Sequence, residues 1–165
     1  MKKIILALLL AVSCLNASAQ FTKGTKFANI SLSGFDLSYM KDHFNIGLGT
    51  KVGYFLEDAW MVYGQLDYGF QNVKGDGNDS NNLAIGLGGR YYIHQNGLYL
   101  NFGLKFDHAF RGVANNNIYL TPEVGYCFYL NHYLSIEPAL YYDMSLNHFS
   151  DGSKVGIRVG FGFYF

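Results

Sequence analysis

The sequence predicts an all-β chain: an eight-stranded antiparallel up-and-down transmembrane β-barrel, preceded by a cleaved signal peptide. Three observations predict it. Beyond the first twenty residues, apolar side chains recur at every second position in runs of about 9–14 residues, the length a tilted membrane strand needs. The charged residues inside those runs fall on the opposite parity. At the end of the chain, Val155, Ile157, Val159, Phe161, Phe163 and Phe165 share one face, and Lys154, Gly156, Arg158, Gly160, Gly162 and Tyr164 the other. A tall apolar face backed by small and charged residues is the pattern of a strand with lipid outside.

The N-terminal segment reads as a signal peptide over residues 1–19. Met1-Lys2-Lys3 is a basic start, Ile4 to Val12 an apolar stretch, and Ala17-Ser18-Ala19 a small-x-small cleavage site. The barrel domain then occupies 20–165. A competing reading lipidates Cys14, because Ala11-Val12-Ser13-Cys14 loosely resembles a lipobox; the Leu usual three residues before such a Cys is absent.

Strands are expected at 26–39, 43–55, 59–71, 82–93, 97–110, 117–130, 133–145 and 153–165, by period-two alternation. Leu56-Glu57-Asp58, His94-Gln95-Asn96 and Asn131-His132 are tight breaks. Gln71–Asn81, Arg111–Asn116 and Leu146–Gly152 are longer and rich in Gly, Asn, Asp and Ser. Short turns on the periplasmic side and longer loops outside are the asymmetry of outer-membrane barrels, and an even strand count leaves both termini periplasmic. Met40-Lys41-Asp42 is an outer connection as tight as a turn. Strand one changes phase between Leu32 and Phe35, so a bulge is expected near Ser33-Gly34. Pro122 and Pro138 each remove a ladder donor on neighbouring strands and predict a local irregularity. Aromatics gather toward strand ends as two interfacial girdles, with Tyr54, Trp60, Tyr91, Phe163 and Phe165 below and Phe44, Tyr68, Phe70, Phe106, Phe110 and Tyr142 above.

The inward parity collects Asp36, Asp67, Asp107, Glu123, Glu137 and Asp143, with Lys51, Arg90, Lys105, Lys154 and Arg158. No strand Lys, Arg, Asp or Glu is expected on the lipid face, where Arg or Lys costs about 2–4 kcal/mol at the midplane. An eight-stranded barrel is only wide enough for its own side chains, so these charges should pair as a packed polar plug. Lys105 with Glu123, and Arg158 with Glu137, are the expected pairs. Inward glycines leave room for Tyr63, Tyr92, Tyr99, Tyr119 and Tyr141.

Without Lys2 and Lys3 the chain carries ten basic and twelve acidic residues, a balance that argues against a nucleic-acid partner. Cys127 alone remains, so no intramolecular disulfide is expected. No metal-ligand spacing and no phosphate-binding loop occurs, so no cofactor and no metal is expected. Asp76, Asp79 and Asp151 do not match an EF-hand spacing.

The order of motifs resembles the small outer-membrane β-barrel family, the porin-like domain of Bacteroidota related in shape to the OmpA membrane domain and OmpX. The carrying residues are Val52-Gly53-Tyr54-Phe55-Leu56-Glu57-Asp58, Gly88-Gly89-Arg90-Tyr91-Tyr92-Ile93, Thr121-Pro122-Glu123-Val124-Gly125-Tyr126, Leu130 to Pro138, and the terminal Phe165. The resemblance implies an outer-membrane location, with outer-membrane lipid and the assembly machinery as partners, and a monomer. It also marks Phe165 as an insertion signal. The motifs build a barrel and carry no catalytic residues.

Three functions fit. The first is a structural or surface-interaction role with a closed, charge-paired interior. The second is a narrow pore for small solutes, which the narrow and balanced lumen disfavours. The third is a lipid A deacylase-like hydrolase, because Asn147-His148-Phe149-Ser150 looks like the His-x-Ser segment of that enzyme. For His148 and Ser150 the only later acid is the adjacent Asp151, whereas a catalytic His needs an orienting acid. A polar loop is the simpler reading of that segment.

Overall fold

The computed structural model describes residues 21–36, 43–73, 80–93, 96–110, 116–147 and 153–165. The expected signal peptide, Cys14, Asp76, Asp79, Asp151, His148 and Ser150 lie outside them, as does the whole of the tight outer connection at Met40-Lys41-Asp42.

The strands are β1 (Lys26–Asp36), β2 (His43–Glu57), β3 (Trp60–Val73), β4 (Ser80–Tyr92), β5 (Leu98–Ala109), β6 (Asn116–Tyr126), β7 (Phe128–Tyr129), β8 (Leu134–Ser145) and β9 (Lys154–Tyr164). All pairings are antiparallel between sequence neighbours, and β1–β9 joins the ends. β6 and β7 both pair with β8 in one continuous register, so β7 is the lower part of β6 and the barrel has eight staves. Closure leaves no sheet edge, which a bilayer requires.

The two sequence irregularities become two local structures. In β1 the partner of Ser33 is Arg158 and that of Phe35 is Ile157, so Gly34 is the extra residue of a bulge. The prolines break the β6–β8 ladder without shifting its register. Leu120 pairs with Met144 and Glu123 with Tyr141, while Thr121-Pro122 between them is unpaired. The second gap falls at Tyr126-Cys127, opposite Glu137-Pro138. A proline ring offers no N–H to a ladder, so the bonds stop where the prolines sit.

Some expectations need correction. The connection expected over Gln71–Asn81 is shorter, because Gln71 pairs with Ser80 and β2 reaches up to pair His43 with Val73. Polar residues keep the backbone ladder going above the membrane, where apolar alternation has no reason to persist. Lys26 and Glu57 are strand residues that lie exposed at the turn end of the barrel, and Lys26 has the outward parity of Ala28 and Ile30. At that rim a long stem lets the ammonium reach water, so the cost of a midplane charge does not apply.

Outside, Ile30, Leu48, Val52, Leu66, Ile85, Leu87, Leu104 and Phe161 are exposed, as a lipid-contacting belt requires. Inside, the turn end is closed by rings. Phe21, Phe27, Phe55, Tyr92, Tyr99, Tyr164, Met61 and Cys127 form one buried cluster. Phe21 is its keystone. Its ring stacks on Tyr92 with centroids 3.7 Å apart and meets Tyr164 edge-on at 5.8 Å. Backbone bonds hold the segment in place: Ala59 N–H donates to the Phe21 carbonyl at 2.7 Å, and Gly24 N–H to that of Phe55 at 2.9 Å. Ala59 has φ of 65°. That left-handed conformation costs about 1–2 kcal/mol for a residue with a Cβ. It aims the Ala59 N–H at Phe21 and its carbonyl at Tyr92 N–H.

Phe21→Ala empties a fully buried ring site and should destabilise the barrel by about 3–5 kcal/mol, read by denaturant unfolding in micelles. A Cβ added at Gly88 would overlap the Tyr63 hydroxyl, whereas one at neighbouring Gly89 meets only the Met61 carbonyl at 3.8 Å. Gly88→Ala should therefore lower the melting temperature clearly and Gly89→Ala hardly at all.

Candidate functional site: the charged lumen

Period-two alternation turns every second residue inward, and the lumen is too narrow for those side chains to stay solvated. Lys51, Arg90, Lys105, Glu123, Glu137, Asp143 and Arg158 are all buried. Asp67, Asp107 and Lys154 are half-buried nearer the loop end. Asp36 pairs through its backbone with Gly156, and its side chain lies outside the described residues.

Three cations converge on Glu123. Arg158 Nη1 lies 2.7 Å from Oε2, Lys51 Nζ 3.2 Å from Oε1, and Arg90 Nη2 3.7 Å from Oε1. Arg90 then bridges to Glu137, with Nη1 2.9 Å from Oε2. Glu137 also accepts hydrogen bonds from the Ser135 hydroxyl at 3.0 Å, from Tyr164 Oη, and from Asn29 Nδ2 at 3.4 Å. Aromatic faces complete the cradle. The Arg90 guanidinium sits 3.9 Å from the Tyr99 ring centre and the Arg158 guanidinium 4.7 Å from that of Tyr141. In a dry interior, ring quadrupoles supply part of the solvation that water would have given.

A separate pair lies nearer the loops. Lys105 Nζ is 2.6 Å from Asp143 Oδ2, and the Thr121 hydroxyl donates to Asp143 Oδ1 at 2.7 Å. Thr121 stands in the first ladder gap, so this side-chain bond ties β6 to β8 where backbone bonds are missing. Gln65 Nε2 donates to Asp67 at 3.0 Å, and Asn82 Nδ2 to Asp107 at 2.8 Å.

Both expected ion pairs are corrected. The residue opposite Glu123 on β5 is Asn101, and Lys105 stands opposite Tyr119. Arg158 stands opposite Ala139, and Glu137 opposite Gly160. Long side chains in a narrow tube reach across it instead of sideways along the wall. Lys51 on β2 meets Glu123 on β6, four staves away, and Arg90 on β4 meets Glu137 on β8.

Sequence reasoning missed the uncharged members of the network. Asn29, Ser31, Asn101, Thr121 and Ser135 are all buried and polar. Their inward parity was the available signal. Phe21 had no such signal, because it precedes the first alternating run. At the rim, Lys23 Nζ pairs with Glu57 at 2.7 Å, which raises the pKa of the Lys23 ammonium. Both groups are solvated, so the pair adds little stability.

Chemically the arrangement is a set of opposed charges held by ion pairs and hydrogen bonds, with Arg90 Nε, Arg158 Nε and Asp107 Oδ1 buried without a hydrogen-bond partner. Among the described residues, no group of three His, Cys, Asp or Glu could hold a metal ion. His108 sits at the outer rim, bonded through Nδ1 to Asn116 at 2.6 Å with its ring edge against Phe110.

No protein-family model and no curated protein matches this chain. Solved structures do. The outer-membrane protein Ail of Yersinia pestis in a phospholipid nanodisc aligns over 87% of this chain and 100% of its own, at 16% identity and a TM-score of 0.59. Neisserial surface protein A aligns over 86% and 95%, at 16% identity and 0.57. OprG of Pseudomonas aeruginosa aligns over 87% and 97%, at 19% identity and 0.55. The chain has the fold of these small eight-stranded outer-membrane barrels. A designed transmembrane barrel matches too, at a TM-score of 0.53, so the fold by itself carries no particular activity.

Lys105→Met should destabilise the barrel by up to about 3–5 kcal/mol, because Asp143 loses the ammonium 2.6 Å away and keeps only the Thr121 hydroxyl and Lys154, opposite it on β9. The double variant Lys105→Met with Asp143→Leu should recover much of that loss. A thermal double-mutant cycle checks the coupling, and additive losses would refute the pair.

Proposed function

We propose that this chain is an outer-membrane β-barrel with a structural or surface-interaction role, non-enzymatic and monomeric, with both termini in the periplasm. The observation that carries the reading is the filled lumen. Three cations on Glu123 and the ring cluster around Phe21 occupy the space a solute would need. Lys51, Arg90, Lys105, Lys154 and Arg158 stand against Asp67, Asp107, Glu123, Glu137 and Asp143, so the lumen as a whole carries no single sign of charge to draw ions inward. With the lumen filled, the surfaces left for partners are the lipid belt and the outer connections.

Ail of Yersinia pestis is described in complex with the heparin analogue sucrose octasulfate. That ligand class is not carried over. The outer segments 37–42, 74–79, 111–115 and 148–152 hold Lys41, Lys74 and Arg111 against Asp42, Asp76, Asp79 and Asp151. A polyanion wants a basic surface, and these segments are slightly acidic.

Reconstitution in planar bilayers tests the reading: no steady single-channel conductance is expected, and a stable ohmic channel would favour the pore. Mass spectrometry of lipid A from cells producing the protein should show no change. Loss of an acyl chain that depends on His148 and Ser150 would favour the hydrolase.

Phe165 is proposed as the insertion signal, on the strength of its position at the end of β9 and its exposed, outward ring. Phe165→Lys should reduce the surface-exposed yield in cells while leaving refolding into micelles intact. Unchanged yield would remove that role.

A further inference from the structure

The lipid-facing surface carries a groove of about 800 Å³. Gly89, Pro122, Trp60, Tyr91, Phe102 and Tyr142 are among the residues that line it. All six have outward parity. Asn101, Glu123 and Tyr141 border it through their backbones, since their side chains bond or stack inside the lumen.

The groove follows a hydrogen-bonding row around the wall. Trp60 stands opposite Tyr91, Tyr91 opposite Leu100, Leu100 opposite Val124, and Val124 opposite Leu140. Strand tilt makes this row climb. Trp60 is the first residue of β3, beside the β2–β3 turn, whereas Val155 lies at the far, loop end of β9. From β3 to β9 is a run of about 24 Å at the usual strand spacing. The result is an oblique track that starts at the turn-side interface and rises through the hydrocarbon.

We propose that this groove binds one acyl chain of a phospholipid from the turn-side leaflet, with the headgroup beside Trp60 and Tyr91. The proposal rests on the outer-membrane reading above. The groove is continuous with the lipid belt, so its occupant is hydrocarbon. Its lining runs from Trp60 on β3 to Val155 on β9, an extent that suits an extended chain. Its lower end is an amphipathic ring pair, Trp60 and Tyr91 with centroids 4.7 Å apart, at the depth where such rings meet headgroups. A second copy of the barrel fits worse, because a two-fold axis would set the same hollow against itself and leave it empty.

The chain supplies its own reporter, since Trp60 is its single tryptophan. Gly89 supplies a mild blocking variant, because its Cβ position is open. The barrel in detergent micelles is titrated with a phospholipid brominated along its acyl chains, and Trp60 fluorescence is followed. Saturable quenching, above that expected from the mole fraction of brominated lipid, supports the groove. Gly89→Leu should abolish the excess. Gly64→Leu, also outward and open but outside the groove, should retain it. Quenching that only tracks mole fraction overturns the proposal, as does an excess that survives Gly89→Leu. A concentration-dependent dimer that shields Trp60 from the lipid overturns it in favour of a second copy. Heat-modifiable gel migration of the same samples shows whether the barrel is folded, so failure of the groove is distinguishable from failure of the membrane-barrel reading.

Discussion

Hydrocarbon offers a backbone amide nothing to bond, so this chain can cross a membrane only as a closed ladder. Closure concentrates the difficulty at one seam. The other described seams pair continuously through the membrane span apart from the Gly34 bulge of β1, but β6 and β8 meet with Pro122 on one strand and Pro138 on the other. The register survives both interruptions. Thr121 and Lys105 both bind Asp143 beside the first gap, so side chains replace part of what the backbone lacks. A buried ion pair is a poor source of net stability, yet one placed at a broken ladder holds two strands in register.

Closure also sets what the inside can be. Eight staves leave a tube that side chains fill, so its buried ions pair between staves that are not neighbours. Glu123 sits among Lys51, Arg90 and Arg158, and Arg90 hands on to Glu137. Lumen glycines are the counterpart of lumen tyrosines: Gly88 and Gly103 face the Tyr63 hydroxyl, and Gly125 faces Tyr99. The same packing that makes the barrel rigid removes the space for a solute. The outer surface keeps a hollow in the lipid belt, lined by Gly89 and Pro122 among others.

The sequence by itself determined the fold class, the strand order and which face of each strand meets lipid. It could do so because alternation with period two is local: a single strand reveals its own two faces. The β1 bulge and the proline interruptions were legible for the same reason, since each is a break in a local pattern. Tertiary structure alone decided which charges meet. Lys105 pairs with Asp143 and Arg158 with Glu123, each two staves away, because partners are chosen by stave position and shear, quantities that no one strand encodes. It also decided the place of Phe21, which belongs to no alternating run and is buried only because the closed staves bring Tyr92 and Tyr164 to one end.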